Sequence, residues 1–179
     1  MDKRKVGMVI GASGVTGTPL AEQLALAGWK VYGVSRRPPQ LRGGPHAQFR
    51  HLPADLTDGR AARAVLAGCT DVTHVFHCAN DARADTRLAM IANALDAIEA
   101  VAPGFANINL LQGTKYYGSY LGPFKTPAKE TDPRVPGNVG LPAGLHPDDL
   151  HLERHVAIPA ATESPVRGDR TGIRMSCRI

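Results

Sequence analysis

Apolar residues along the first two thirds of the chain follow two alternating rhythms. VGMVI (6–10) is an unbroken apolar run, as a parallel strand covered on both faces requires. PLAEQLALAG (19–28) then spaces Leu20, Leu24 and Ala27 for one helical face and stops at Gly28. KVYGVS (30–35) and FRHLPAD (49–55) predict a second and third strand, and residues 58–68 a helix with Asp58 as N-cap and Gly68 beyond its end. DVTHVFHC (71–78) predicts a fourth strand. RADTRLAMIANALDAIEAV (83–101) predicts a long helix with Leu88, Ile91, Leu95 and Ile98 on one stripe, and INLLQG (108–113) a fifth strand. Strands alternating with helices make β-α-β units with right-handed crossovers, so the expected fold is α/β, a doubly wound parallel sheet of order 3-2-1-4-5.

Beyond residue 115 the rhythm stops. Eight prolines fall between Pro123 and Pro165, and no Phe, Trp or Tyr follows Phe124. The expected division is therefore a domain over 1–134 and an irregular, Pro-rich or partly disordered segment over 135–179. Its final stretch, PAATESPVRGDRTGIRMSCRI, reads as a tail or loop.

With 179 residues, 43% hydrophobic and 21% charged, the composition is that of one globular domain. No apolar run approaches the ~20 residues of a membrane helix, and the run after MDKRK is too short for a secretory leader. A cytoplasmic protein without membrane contact is expected. Cys69, Cys78 and Cys177 are odd in number and lack paired spacing, which argues for reduced thiols and against a metal site. His151 and His155 are four apart on a candidate helix but lack the adjoining glutamate of a zinc motif, and His74 and His77 point to opposite faces of a strand.

The formal net charge is +5, and all of the excess lies in residues 1–60, which hold nine Lys/Arg against four Asp/Glu. No basic stripe with interleaved aromatics accompanies it, so nucleic acid is not an expected partner. Part of that charge has a more specific use. GASGVTG (11–17) directly follows the first strand and opens the first helix, the context that turns a glycine repeat into a dinucleotide loop of Rossmann type. Gly11 permits the tight bend, Gly14 close approach of the backbone to a pyrophosphate, and Gly17 close helix–strand packing, while Ser13 and Thr16 add hydroxyls. At the end of the second strand Ser35 is followed by Arg36 and Arg37 with no acid nearby. A 2′-phosphate suits two guanidiniums where a free 2′-hydroxyl suits a carboxylate, so NADP(H) is the expected cofactor. Asp55, closing the third strand with Leu56 beside it, is placed to meet the adenine. The plainer alternatives are a ligand-free glycine turn, two solvated arginines and an aspartate that only makes a turn.

GASGVTG, WKVYGVSRRP, DLTD, DVTHVFHCAN and LQGTKYYGSYLGPFKTPAKETDPR occur in an order that resembles the atypical short-chain dehydrogenases/reductases of the progesterone 5-beta-reductase and iridoid synthase type, over residues 5 to about 134. The resemblance implies NADPH-dependent reduction of the activated C=C bond of a small enone. It implies cofactor contacts at Ser13, Gly14, Val15, Arg36, Arg37, Asp55, Leu56, Cys78, Ala79 and Gln112, and a catalytic lysine at Lys115. The family's catalytic tyrosine lies in an aromatic-rich segment after DPR, where this chain reads VPGNVGLPAGLHPDDLHLER. No tyrosine follows Tyr120, whose lysine comes five residues on, and neither Tyr116 nor Tyr117 has a lysine four residues on, so the Tyr-x-x-x-Lys motif of ordinary short-chain enzymes is not met and Tyr117 stands only as a local substitute for the phenol. The expected alternatives are thus an active reductase, with a homodimer admissible, and a non-catalytic NADP(H)-binding module or C-terminally truncated pseudoenzyme. A fragment too incomplete to fold stably is a third, since a sheet ending at its fifth strand leaves an open edge.

Overall fold

The computed structural model describes residues 5–44, 46–111 and 174–178, together with Pro123, Thr126, Pro127, Lys129 and Asp132. The chain runs β1 (Val6–Ile10), α1 (Gly17–Leu26), β2 (Lys30–Ser35), β3 (Phe49–Pro53), α2 (Gly59–Leu66), β4 (His74–His77), α3 (Ala84–Val101), β5 (Asn107–Leu111) and β6 (Arg174–Arg178). The sheet order is β3-β2-β1-β4-β5-β6, with every pairing parallel. The doubly wound order 3-2-1-4-5 expected from the sequence is therefore present.

β6 is the departure. The tail reading does not hold for residues 174–178, which pair along β5 with Asn107 opposite Arg174 and Leu111 opposite Arg178. The edge of β5 carries a row of backbone donors and acceptors, and a strand added there satisfies them. A local signal exists in IRMSCRI, where Ile173, Met175, Cys177 and Ile179 alternate with polar residues at the period of a strand.

Two packed layers flank the sheet. On one face α2 and α3 bury a continuous core in which Met8 and Ile10 of β1, Val34 of β2, Val75 of β4 and Ile108 of β5 meet Leu66 of α2 and Ile91 and Ile98 of α3. On the other face α1 lies over a much smaller cluster of Val9, Ala12, Ala21, Ala25 and Val31, with Leu20, Leu24, Trp29 and Phe49 at its margin. The buried stripe of α1 is Gly17, Ala21 and Ala25 rather than the predicted leucine face, and Ala27 is exposed. Small side chains let the helix settle close to the sheet, which pushes Leu20 and Leu24 to its flanks.

Helix ends follow local chemistry. The Asp58 carboxylate accepts the Arg60 and Ala61 N–H groups at 2.8 and 3.2 Å, as an N-cap should. Gly28 takes a φ of +81° one residue past the C-cap of α1, a conformation glycine adopts without strain. No helix among the described residues is long and apolar enough to cross a membrane.

Candidate functional site

In a parallel doubly wound sheet the ligand crevice lies beyond the carboxyl ends of the strands, where the order reverses between β1 and β4. A cavity of about 620 Å³ occupies that place. Its floor is the turn after β1. Gly11 and Ala12 donate to the Val34 carbonyl at 2.8 and 3.2 Å, and the Cys78 N–H donates to the Ile10 carbonyl at 2.9 Å, so the turn is held between the ends of β2 and β4.

Each glycine in the turn has its own steric reason. Gly11 has a φ of +81°, and a Cβ there would stand 2.6 Å from the Ala79 nitrogen. A Cβ on Gly17 would fall 2.1 Å from the Gly11 carbonyl oxygen, so this glycine is required by packing of α1 against the turn. Gly14 differs: a Cβ would meet only the Gly11 oxygen, at 3.2 Å, and the residue lines the cavity. Its missing side chain leaves the room that a bound group needs. Ser13, Val15 and Thr16 complete the rim, and Val15 is 96% exposed, an apolar surface for a ligand to cover. Thr16, the N-cap of α1, makes no side-chain capping bond, and the first turn of α1 has no acidic residue. The positive end of the helix dipole therefore meets no competing carboxylate from its own first turn.

The end of β2 supplies Ser35, Arg36 and Arg37 to the same cavity. Ser35 is buried. Its hydroxyl donates to the Arg37 carbonyl at 2.7 Å and lies 3.2 Å from His51 Nε2, so it shapes the loop that carries the two arginines. That loop is also fastened to α1, where the Glu22 carboxylate accepts the Arg42 N–H. Asp55 and Leu56 enter from the end of β3. Asp55 Oδ1 accepts both the N–H and the hydroxyl of Thr57, at 3.0 and 2.8 Å, and these bonds, with the charge of Arg36, lower its pKa. The carboxylate thus makes a turn and faces the cavity as well. Asn93 of α3 donates to the Leu56 carbonyl at 2.9 Å and holds this wall in place.

Cys78 and Ala79 line the cavity from the end of β4. Cys78 is half-buried, and burial pushes its thiol up to about 11, so it stays protonated and unreactive at neutral pH. His77, one residue earlier, points to the opposite face. It is buried, its Nε2 has no hydrogen-bond partner among the described residues, and burial lowers its pKa to about 4. His74 stacks against Phe76 on the α1 side, so the two histidines do lie on opposite faces of β4.

Twelve residues singled out in the sequence converge here, from four strand ends. Gly17 supports the site from beneath without lining it. Gln112, Lys115, Tyr117, His151 and His155 lie outside the described residues. Sequence reasoning missed the β4–α3 connection and the start of α3, where Asn80, Asp81, Arg83, Thr86 and Met90 also line the cavity. The only signal available was their position just after a fourth strand.

Residues 8–108 match the NAD dependent epimerase/dehydratase family. The chain is 36% identical over 130 residues to 3-oxo-Delta(4,5)-steroid 5-beta-reductase of Arabidopsis thaliana, covering 66% of this chain and 32% of that protein. It is 33% identical over 127 residues to an (S)-8-oxocitronellyl enol synthase of Camptotheca acuminata, covering 67% of this chain and 32% of that one. It therefore spans about a third of the length of these relatives. Among solved structures, a short-chain dehydrogenase/reductase superfamily protein from Agrobacterium tumefaciens with bound NAD superposes with a TM-score of 0.61 at 19% identity, over 96% of this chain and 48% of that one, a likeness of fold. With a family match over more than half its residues and the family's sheet and glycine turn in place, the chain belongs to the NAD dependent epimerase/dehydratase family.

Proposed function

We propose that the chain binds NADP(H) in this cavity and serves an NADPH-dependent oxidoreductase that reduces the activated C=C bond of a small enone. The observation that carries the cofactor reading is the meeting of Arg36 and Arg37 with the glycine turn in one cavity. The turn and the N-terminus of α1 suit a pyrophosphate, and two guanidiniums at the end of β2 suit a 2′-phosphate through charge-assisted, bidentate hydrogen bonds. Asp55 does not oppose this, because its carboxylate is satisfied by Thr57. The relatives, a steroid 5-beta-reductase among them, support the reaction class.

When bound, the reduced nicotinamide supplies a hydride for the alkene. The chain's own part is binding and positioning. Gly14 and Val15 admit the pyrophosphate, Arg36 and Arg37 hold the 2′-phosphate, and Asp55, with the Leu56 backbone and Ala79 beside it, meets the adenine. Lys115 is the proposed catalytic cation, which holds the cofactor ribose and lowers the pKa of a neighbouring phenol. Tyr117 is the proposed phenol, whose role is to stabilise negative charge on the substrate oxygen.

A second reading, a binding module without turnover, is favoured by one feature: the stretch after DPR, VPGNVGLPAGLHPDDLHLER, holds no tyrosine. NADPH fluorescence titration and NADPH oxidation with 2-cyclohexen-1-one separate the two, since binding with turnover supports the reductase and binding alone the module. Arg36→Asp is expected to weaken NADPH by about 2 kcal/mol, roughly thirtyfold, by removing a charged hydrogen-bond donor and adding a repelling carboxylate. Unchanged NADPH affinity in that variant, or equal affinity of the unaltered chain for NADH and NADPH, overturns the cofactor assignment.

A further inference from the structure

A third arginine faces the cavity. Arg83 is the N-cap of α3, and it lines the same space as Arg36 and Arg37 although it lies 47 and 46 positions further along the chain. Its side chain is 72% exposed, and its Nε stands 3.5 Å from Asp81 Oδ1, a long and solvated ion pair. Such a pair is weak, so the guanidinium can leave it at little cost.

The loop that presents it is better defined than the side chain. Asp81 Oδ1 accepts the Arg83 N–H at 3.0 Å, and Arg87, one turn into α3, donates from Nη1 to the carbonyls of Asp81 and Ala82. The Asp81 carboxyl is held below its usual range first by the Arg83 N–H and then by the Arg83 and Arg36 guanidiniums. Arg36, at the end of β2, and Arg83, at the start of α3, therefore act on one carboxylate. The other acid of the cavity wall, Asp55, is turned to Thr57. Asp81 is thus paired with Arg83 and feels the charge of Arg36 in the same cavity, a pattern that a stronger anion can take over.

We propose that Arg83 is a further cofactor-binding and specificity-determining residue, which exchanges the Asp81 carboxylate for the 2′-phosphate and completes a three-arginine grip with Arg36 and Arg37. The inference rests on the reading of the cavity as an NADP(H) site. A phosphate dianion offers a guanidinium two aligned acceptors and more charge than one carboxylate, and Arg83 already lines the cavity that Arg36 and Arg37 line. Asp81 then acts as the placeholder: it keeps Arg83 at the rim and, by repulsion, sets an upper limit on the affinity for the phosphorylated cofactor.

The test compares binding of NADP+, NAD+ and 2′,5′-ADP to the full chain by calorimetry, for the unaltered protein, Arg83→Ala, Arg83→Lys and Asp81→Asn, with the thermal midpoint recorded for each. Arg83→Ala is expected to weaken NADP+ and 2′,5′-ADP about tenfold and to leave NAD+ within about twofold, at an unchanged midpoint. Arg83→Lys recovers part of the loss, because an ammonium keeps the charge and lacks the fork. Asp81→Asn keeps the acceptor for the Arg83 N–H, frees the guanidinium, and tightens NADP+ about threefold. Equal losses for NADP+ and NAD+ in Arg83→Ala, or no loss for either, overturn the assignment of Arg83. If instead Arg36→Asp leaves NADP+ unaffected, the cavity is not an NADP(H) site and the underlying reading fails with it.

Discussion

The two faces of the sheet are built to different ends. On the α2/α3 face, side chains from β1 to β5 interlock with two helices in a deep apolar layer that contains Met8, Leu66 and Ile98, all fully buried. On the α1 face the buried layer is almost entirely alanine and valine. Even Gly33 on that side has no room to spare, since a Cβ there would lie 2.4 Å from the Phe49 ring and 3.0 Å from Ala12 Cβ. The deep face supplies stability through buried apolar area. The shallow face brings the N-terminus of α1 down onto the strand ends, which aims it into the cavity. Close approach and a thick core exclude one another at the same place, and the molecule keeps them on opposite sides.

The largest effects should separate the faces most clearly. Leu66→Ala removes a fully buried side chain from the deep layer and is expected to lower stability by about 3 kcal/mol in denaturant unfolding, with the NADPH affinity of the folded fraction unchanged. Gly17→Ala, on the shallow side, forces a Cβ to within 2.1 Å of a backbone oxygen. It should displace the glycine turn and abolish NADPH binding even where folded protein is recovered. Intact cofactor binding in that variant would break this division between the two faces.

Acid probes the deep face by another route. His77 has a pKa of about 4 in the fold against 6.5 for a free imidazole, because burial disfavours its charged form. Between those values the unfolded chain binds a proton that the folded chain does not, so stability falls as the pH drops from about 6.5 towards 4. At one pKa unit per 1.36 kcal/mol the loss is about 3 kcal/mol over that window. His77→Phe should flatten the profile, as read from the denaturation midpoint against pH, whereas His74→Phe on the other face should alter it much less.

The smallest effect is expected at the far end of the sheet. There Asp71 accepts from Lys30 Nζ at 2.6 Å and from Tyr32 Oη at 3.0 Å. Both partners of the ion pair are partly exposed, so Asp71→Asn should cost no more than about 1 kcal/mol in thermal unfolding and leave cofactor binding untouched.

Much of this organisation was legible in the chain. Apolar runs five or six residues long, separated by helical spacing, placed five strands to within a few residues and implied their order. The glycine turn and the pair Arg36–Arg37 were readable because each is a short local motif whose neighbours in sequence are its neighbours in space. Leu20 and Leu24 misled, since the hydrophobic pattern of α1 records which residues are large and not which face the sheet can approach.

Sequence by itself determined the class of fold, the position of the crevice and the identity of the groups on its β1 and β2 sides, because strand periodicity, capping and turn chemistry act over a few residues. Only the tertiary structure decided that Asp81 and Arg83 share a cavity with Arg36, that His77 is shut into the deep core, and that residues 174–178 complete the sheet beside β5. Those outcomes depend on which strand lies next to which in a parallel sheet. There, residues dozens of positions apart meet only after the crossovers have packed, and no local rule in the chain records that meeting.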